Sequence, residues 1–289
     1  MRLAFLGTPA AAVPSLHALV EAGHEVAVVI TMPDRRRGRG GATQPSPVKI
    51  AAEALGISVD YDLGALDAYD IERAVVVAYG ALIPAALLDR VPMLNVHFSL
   101  LPRWRGAAPV ERAILAGDDE TGVSVMTLEA TLDTGPVHVE RRVQLENQTV
   151  SELLGQLADL GAGAVVEVLG SPELLAKPQP QVGAVTYAAK LDAETFHLSP
   201  AMTVVEVMRM VRLERAFLLV GERRLRIYEV RPTAQATGSG TLSLADGEVV
   251  LGAADGTMMV VTVQPEGGRR MAAKDWWSGA RLSNEIQWH

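Results

Sequence analysis

Cysteine is absent from all 289 residues, which excludes disulfides, thiolate zinc sites and a cysteine nucleophile. Histidine is sparse: His17, His24, His97, His138, His197 and His289 are scattered, with neither the H-x-x-x-H nor the H-E-x-x-H spacing of a helical metal pair. No metal is therefore expected. The glycines form no G-x-G-x-x-G, since Gly7-Thr8-Pro9 stands where a dinucleotide fingerprint would begin. Neither G-x-x-x-x-G-K-[ST] nor G-x-S-x-G occurs, which removes P-loop and serine-hydrolase chemistry. Internal repeats and low-complexity tracts are missing as well. Positive charge is not in excess: the net charge is −8, which argues against a general nucleic-acid coat. The opening Met1-Arg2-Leu3 runs straight into a strand-like segment, with neither a signal-peptide pattern nor a membrane span. A cytoplasmic chain without membrane contact is the expectation.

What is present is an ordinary globular composition, 49% apolar and 21% charged. Strand-length apolar runs at 3–6, 25–30, 74–78, 94–98, 122–128 and 137–145 alternate with helical stretches. Those stretches begin near Pro9, after Pro47, and over 84–88 and 109–116. Thr149 and Glu152 form a capping box for a helix ending near Gly170. This alternation predicts an α/β domain: a Rossmann-like, mostly parallel sheet with helices on both faces. A Pro- and Ala-rich stretch follows, then a helix over 204–211 and five short strands with glycine turns between them. That spacing suits a small OB-like antiparallel β-barrel domain. The expected division is 1–182 for the catalytic domain, 183–203 for a linker and 204–289 for the barrel.

Charge is uneven. From residue 190 onward twelve Lys/Arg balance twelve Asp/Glu, so the acidic surplus lies earlier. Arginines cluster at Arg35, Arg36, Arg37 and Arg39, and again at Arg209, Arg212, Arg215, Arg223, Arg224, Arg226 and Arg231. Local basic patches on an acidic chain suit a specific anionic partner.

The segment richest in chemistry runs from Asn95 to Pro109. On a strand, residues i and i+2 share a face, so Asn95 and His97 project together. An amide can donate to a developing oxyanion, and an imidazole can donate to it or take up a nucleophile's proton. A capping amide and a satisfied core histidine would give the same pattern. Asp133 follows the next apolar run in a loop of turn composition; it can orient the histidine, relay a proton through water, or bond its own backbone.

Taken together the chain resembles the 10-formyltetrahydrofolate-dependent formyltransferases. Five blocks carry the likeness: F-L-G-T-P with A-V-P-S-L, P-D-R-R-R-G-R-G with P-S-P-V-K, V-V-V-A-Y-G-A-L-I-P, N-V-H-F-S-L-L-P-R-W-R-G-A-A-P-V, and L-D-T-G. The Asn-x-His and L-D-T-G blocks are common to the family, while R-G-A-A-P-V and the arginine loop resemble its methionyl-tRNA branch. The resemblance implies a Rossmann-like domain followed by an OB-like barrel that binds tRNA. It implies 10-formyltetrahydrofolate as co-substrate and initiator methionyl-tRNA as partner, without a metal, in translation initiation; a monomer is expected. Asn95, His97 and Asp133 take the catalytic positions. Ala81, Leu82 and Ile83, with Ser99, Leu100, Leu101 and Pro102, take the folate-binding positions, and Arg35, Arg36, Arg37 and Arg39 the tRNA-binding ones. Formyl transfer would run by direct attack of the amine through a tetrahedral intermediate.

Several positions depart from the pattern. Phe98 replaces a small residue, Thr131 a glycine, Ala10-Ala11 a Glu-Phe pair and Gly40-Gly41-Ala42 a lysine-bearing run, and the N-P-x-P-G-A block after Ala216-Phe217 is missing. Two alternatives accordingly stand beside the tRNA reading: a formyltransferase for a small amine such as an amino-sugar nucleotide, and a folate- or tRNA-binding relative impaired in catalysis.

Overall fold

Strand β1 (Arg2–Gly7) has Leu3, Ala4, Phe5 and Leu6 wholly out of solvent, as a strand covered on both faces requires. It lies inside a seven-stranded sheet, between β6 and β2, in the computed structural model, which describes residues 1–36 and 43–289. The other strands of this sheet are β2 (Glu25–Ile30), β5 (Val59–Asp60), β6 (Arg73–Val77), β7 (Met93–His97), β9 (Glu120–Thr127) and β10 (Val137–Gln144). Between β2 and β5 the pairs β3 (Arg35–Arg36) and β4 (Thr43–Gln44) form a short antiparallel ribbon. The sheet order is β10-β9-β7-β6-β1-β2-β5. Pairing is parallel from β7 through β5 and antiparallel at β9 and β10. The expected mostly parallel sheet is thus present, with an antiparallel margin.

Helices α1 (Val13–Glu21), α2 (Pro47–Ala54), α3 (Ala85–Leu88), α4 (Pro109–Ala116), α5 (Val150–Gly170) and α6 (Pro172–Ala176) connect these strands or follow them. Ser46 caps α2 and its hydroxyl meets that of Thr31 at 2.8 Å, both buried. By length and composition α5 would be able to cross a membrane. Here nine of its residues are buried, and Gly161 shows how closely it packs: a Cβ there would lie 2.6 Å from Val96 Cγ1 and 3.7 Å from Phe98 Cε1. The ring of Phe98 thus packs beneath α5.

Two compact units divide the chain. The first comprises Met1–Val110, Glu120–Gln144 and Leu153–Ala189, and the second Glu111–Asp119, Leu145–Glu152 and Lys190–His289. The first also holds β8 (Arg105–Gly106) and β11 (Tyr187–Ala188), which pair in parallel.

In the second unit α7 (Val204–Val211) starts at a reciprocal capping box of Thr203 and Glu206. Strands β12 (Phe217–Val220), β13 (Arg223–Pro232), β14 (Thr241–Ala245), β15 (Glu248–Gly252), β16 (Thr257–Pro265), β17 (Met271–Ala272) and β18 (Glu285–Gln287) form one antiparallel sheet. Its order is β12-β13-β16-β15-β14-β18, with β17 on β16. Beyond β18, His289 exchanges two backbone hydrogen bonds with Leu219 of β12, at 2.6 and 3.1 Å. The sheet therefore closes on itself as the expected small barrel. Helix α8 (Ala273–Ala280) lies on β15 and β16, and its Trp277 is buried edge-on to Trp276.

One buried group couples the first unit to pH. His138 Nδ1 donates to the Leu174 carbonyl at 2.9 Å, and Nε2 meets the Thr127 hydroxyl at 2.9 Å. Burial holds its pKa below the ordinary imidazole value; the Leu174 carbonyl opposes this and the Arg73 charge adds to it. The unfolded chain therefore takes up this proton first, so the contribution is present above about pH 6.5 and is lost as pH falls. Urea unfolding midpoints are expected to drop between pH 7.5 and 5.5, and His138→Gln to flatten that slope. His24, shifted the same way by burial and by the N-terminal ammonium with Glu72 opposing, keeps part of it. An unchanged slope in the variant would contradict the assignment.

Candidate active site

The last three residues of β7 put Asn95 and His97 on one face, and both residues are nearly buried, at 9% and 6% exposure. After His97 the chain turns sharply. The Ser99 hydroxyl donates to the Arg103 carbonyl at 2.6 Å. The Ser124 hydroxyl, one strand away on β9, donates to the Ser99 carbonyl and accepts from the Leu101 amide. These bonds return the chain so that the Trp104 carbonyl lies 2.9 Å from His97 Nε2. A carbonyl only accepts, so Nε2 carries the hydrogen and Nδ1 is the open nitrogen.

Nδ1 faces Asp133 Oδ2 at 3.8 Å, too far for a hydrogen bond and near enough for charge pairing once the ring is protonated. Register makes this meeting unexpected. The β7–β9 pairing sets Leu94 opposite Thr127 and His97 opposite Ser124, so the 128–136 loop begins near the start of β7. It then folds back along the sheet until Asp133 reaches His97. Asp133 sits at φ +50°, a left-handed backbone that Asp tolerates better than most residues. Its Oδ2 accepts from the Gly106 amide at 2.7 Å. Gly106 itself is at φ +119°, and a Cβ there would lie 2.8 Å from the Ala188 carbonyl oxygen. Only glycine allows that approach.

A cavity of about 630 Å³ opens over these groups. Val76, Ala81, Leu82, Ile83, Leu88, Phe98 and Leu128 supply much of its apolar wall, while Asn95, His97, Glu129, Thr131 and Asp133 supply polar groups. Its volume is that of a site for a small organic molecule. The structure therefore brings Asn95, His97, Asp133, Ala81, Leu82 and Ile83 into one wall. Ser99, Leu100, Leu101 and Pro102 do not line this cavity; Ser99, Leu101 and Pro102 are buried behind it, in the turn that presents the Trp104 carbonyl. Among the described residues no group of three metal-ligating side chains forms.

Sequence reasoning missed Tyr79, Gly106 and Ala107 in the wall, and Gln181 and Thr186 behind it. Gly106 had a signal in its position before Ala107-Ala108-Pro109. Gln181 had none, standing alone in a Pro- and Gln-rich stretch.

Of the basic positions, Arg35 is exposed and Arg36 pairs through β3, whereas Arg37 and Arg39 lie outside the described residues. The second cluster is divided. Arg212 is partly buried and donates to the Gln148 carbonyl at 2.8 Å, and Arg231 pairs with Glu229 at 2.7 Å. Arg223, Arg224 and Arg226 are exposed on β13, with Arg224 over the Phe217 ring at 4.6 Å.

Comparison with known proteins adds the following. The model described as "Formyl transferase" matches residues 1–169, and that described as "Formyl transferase, C-terminal domain" matches residues 190–281. A protein of Jannaschia sp. named methionyl-tRNA formyltransferase is 42% identical over 299 residues, covering 98% of each chain. Among solved structures, HypX from Aquifex aeolicus in complex with tetrahydrofolic acid superposes with a TM-score of 0.69 at 18% identity, over 96% of this chain and 47% of that one. The N-formyltransferase from Helicobacter canadensis, in complex with folinic acid and dTDP-3-aminofucose, gives 0.67 at 16% identity, over 89% and 98%. These two likenesses concern the fold.

Proposed function

Because the chain belongs to the formyl transferase family, we propose that it transfers the formyl group of a reduced folate to the free amino group of methionyl-tRNA. The observation that carries this reading is near full-length identity of 42% to a methionyl-tRNA formyltransferase, combined with Asn95, His97 and Asp133 meeting in one cavity. The donor is 10-formyltetrahydrofolate. Its flat heterocycle suits the apolar side of the cavity, with Ala81, Leu82 and Ile83 holding it, and it supplies the electrophilic formyl carbon when bound.

The remaining work falls to the protein's own groups. Asn95 donates its amide to the oxygen on which negative charge develops. His97, its Nε2–H committed to the Trp104 carbonyl, has Nδ1 left to receive the proton that the attacking amine loses, directly or through one water. Asp133 stabilises the resulting imidazolium across 3.8 Å until the adduct collapses. The bond from the formyl carbon to the folate nitrogen then breaks, and the imidazolium returns its proton to that departing nitrogen. Through Gly106, Asp133 also fixes the loop that follows the β7 turn. No step asks for a metal.

The arginine loop at 35–39 and the exposed arginines of β13 are the surfaces offered to tRNA phosphates, and the barrel is the tRNA-binding domain. The chain acts as a cytoplasmic monomer. Formyl transfer assayed in parallel with methionyl-tRNA and with an amino-sugar nucleotide should give product on methionyl-tRNA alone. Product only on the small amine would overturn the acceptor. The arginines give a second check. Replacing Arg35 and Arg39 together by alanine should weaken tRNA binding and reduce the slope of log affinity against log salt by about two. Folate affinity should not change, and an equal loss in folate and tRNA binding would remove these residues from the tRNA surface.

A further inference from the structure

The stretch from 179 to 188 has the composition of a connector, yet its polar groups bind both loops of the site. Gln179 exchanges backbone hydrogen bonds with Val137 at 2.8 and 2.7 Å, which lays the stretch alongside the start of β10. Two residues on, Gln181 Nε2 donates to the Asp133 and Gly135 carbonyls, at 2.8 Å each. Its Oε1 accepts from Arg105 Nε at 3.0 Å and Nη2 at 2.6 Å. Farther along, Thr186 takes the Trp104 amide on its hydroxyl at 2.9 Å and the Arg105 amide on its carbonyl at 2.9 Å. The Ala188 carbonyl then accepts from Ala107 and Ala108.

Every polar atom of the Gln181 side chain is therefore spent on a link between two loops. One loop carries Asp133; the other carries the Trp104 carbonyl that orients His97. Within its own loop Thr134 bonds Glu129 and Thr131, and the Asp133 carboxylate accepts from Gly106. Gln181 is the side chain that ties the backbone on either side of Thr134 to the other loop. Arg105 presents two N–H groups in a rigid fork, so the bond to Oε1 fixes direction as well as distance.

We propose that Gln181, locked by Arg105, is a positioning residue for formyl transfer: it sets the place of the Asp133 carboxylate relative to His97 without touching either substrate. This rests on the formyl-transfer reading above. Displacing a reacting geometry by about 1 Å costs up to roughly 100-fold in rate. Gln181→Met keeps the length and removes all the polar atoms. It should lower kcat roughly 10- to 100-fold, with KM for methionyl-tRNA and affinity for 5-formyltetrahydrofolate within about twofold of the parent. Arg105→Lys, which keeps the charge and loses the fork, should cause a similar loss if Gln181→Met fails to fold. The double variant should be no slower than the worse single one, as expected of residues acting through one link.

Backbone deuterium exchange supplies a reading independent of activity: 129–136 should exchange faster in Gln181→Met, with the barrel unchanged. A kcat within twofold of the parent, or a loss confined to KM, would overturn the proposal even with the parent fully active. A parent inactive on methionyl-tRNA would instead sink the formyl-transfer premise, and unchanged exchange in 129–136 would then sink the loop link as well.

Discussion

His97→Ala should lower the rate of formyl transfer to methionyl-tRNA by about 10²- to 10⁴-fold, the range for loss of a positioned acid–base group. The ring is committed on one side, where Nε2 donates to the Trp104 carbonyl at 2.9 Å, and open at Nδ1 toward Asp133. Removing it takes away both the proposed proton acceptor and the ring that faces the Asp133 carboxylate. Folding should survive, because Asp133 keeps the Gly106 amide and the turn after β7 is held by Ser99 and Ser124. Single-turnover kinetics with saturating donor separates this chemical loss from binding. A loss below about tenfold would place the proton transfer elsewhere. His97→Gln is the sharper comparison: its amide can donate to the Trp104 carbonyl while supplying no basic nitrogen, so it should be as slow as alanine.

Asn95→Ala should cost about 10²- to 10³-fold, the usual effect of deleting one oxyanion donor. The residue lies in mid-sheet, with β7 paired to β6 at Val76 and to β9 at Met126, so the backbone that carries the amide is rigid and set before substrate arrives. That rigidity is what makes a single amide effective against charge that exists only transiently. The loss should appear in kcat, with KM nearly unchanged. Asn95→Asp tests the sign of the interaction. A carboxylate beside a developing oxyanion repels it, so this variant should be slower than alanine despite its similar shape. If Asn95→Asp retains more activity than Asn95→Ala, the charge that develops near residue 95 is positive and the oxyanion role is lost.

Much of this protein was legible before any coordinates. Apolar runs of strand length, turn glycines and the Asn-x-His spacing are local properties, and local sterics and burial act within a few residues. They gave six of the seven strands of the parallel-dominated sheet, five strands of the barrel and the shared face of Asn95 and His97, but not β5, β17 or β18. The resemblance of five motif blocks added a catalytic position for Asp133 and the reaction class. Arg37 and Arg39 are legible only in that way, as they lie outside the described residues.

The tertiary structure decided the rest, because it depends on groups far apart in sequence. The capacity of His97 to act at Nδ1 follows from the carbonyl of Trp104, seven residues on and returned by a turn that Ser124 of another strand holds. Four of the expected folate positions, residues 99–102, are used in that turn instead of the cavity wall. The approach of Asp133 to His97 requires a loop that begins three register positions away and folds back. Its hold by Gln181, 48 residues later in a stretch that reads as a connector, has no periodicity or motif to announce it. Sequence alone therefore singled out Asn95, His97 and Asp133 as candidates, since residue type, strand phase and motif blocks are local. Only the fold determined which nitrogen of His97 is available and what keeps Asp133 near it, since a hydrogen bond between distant segments exists only once the chain has closed.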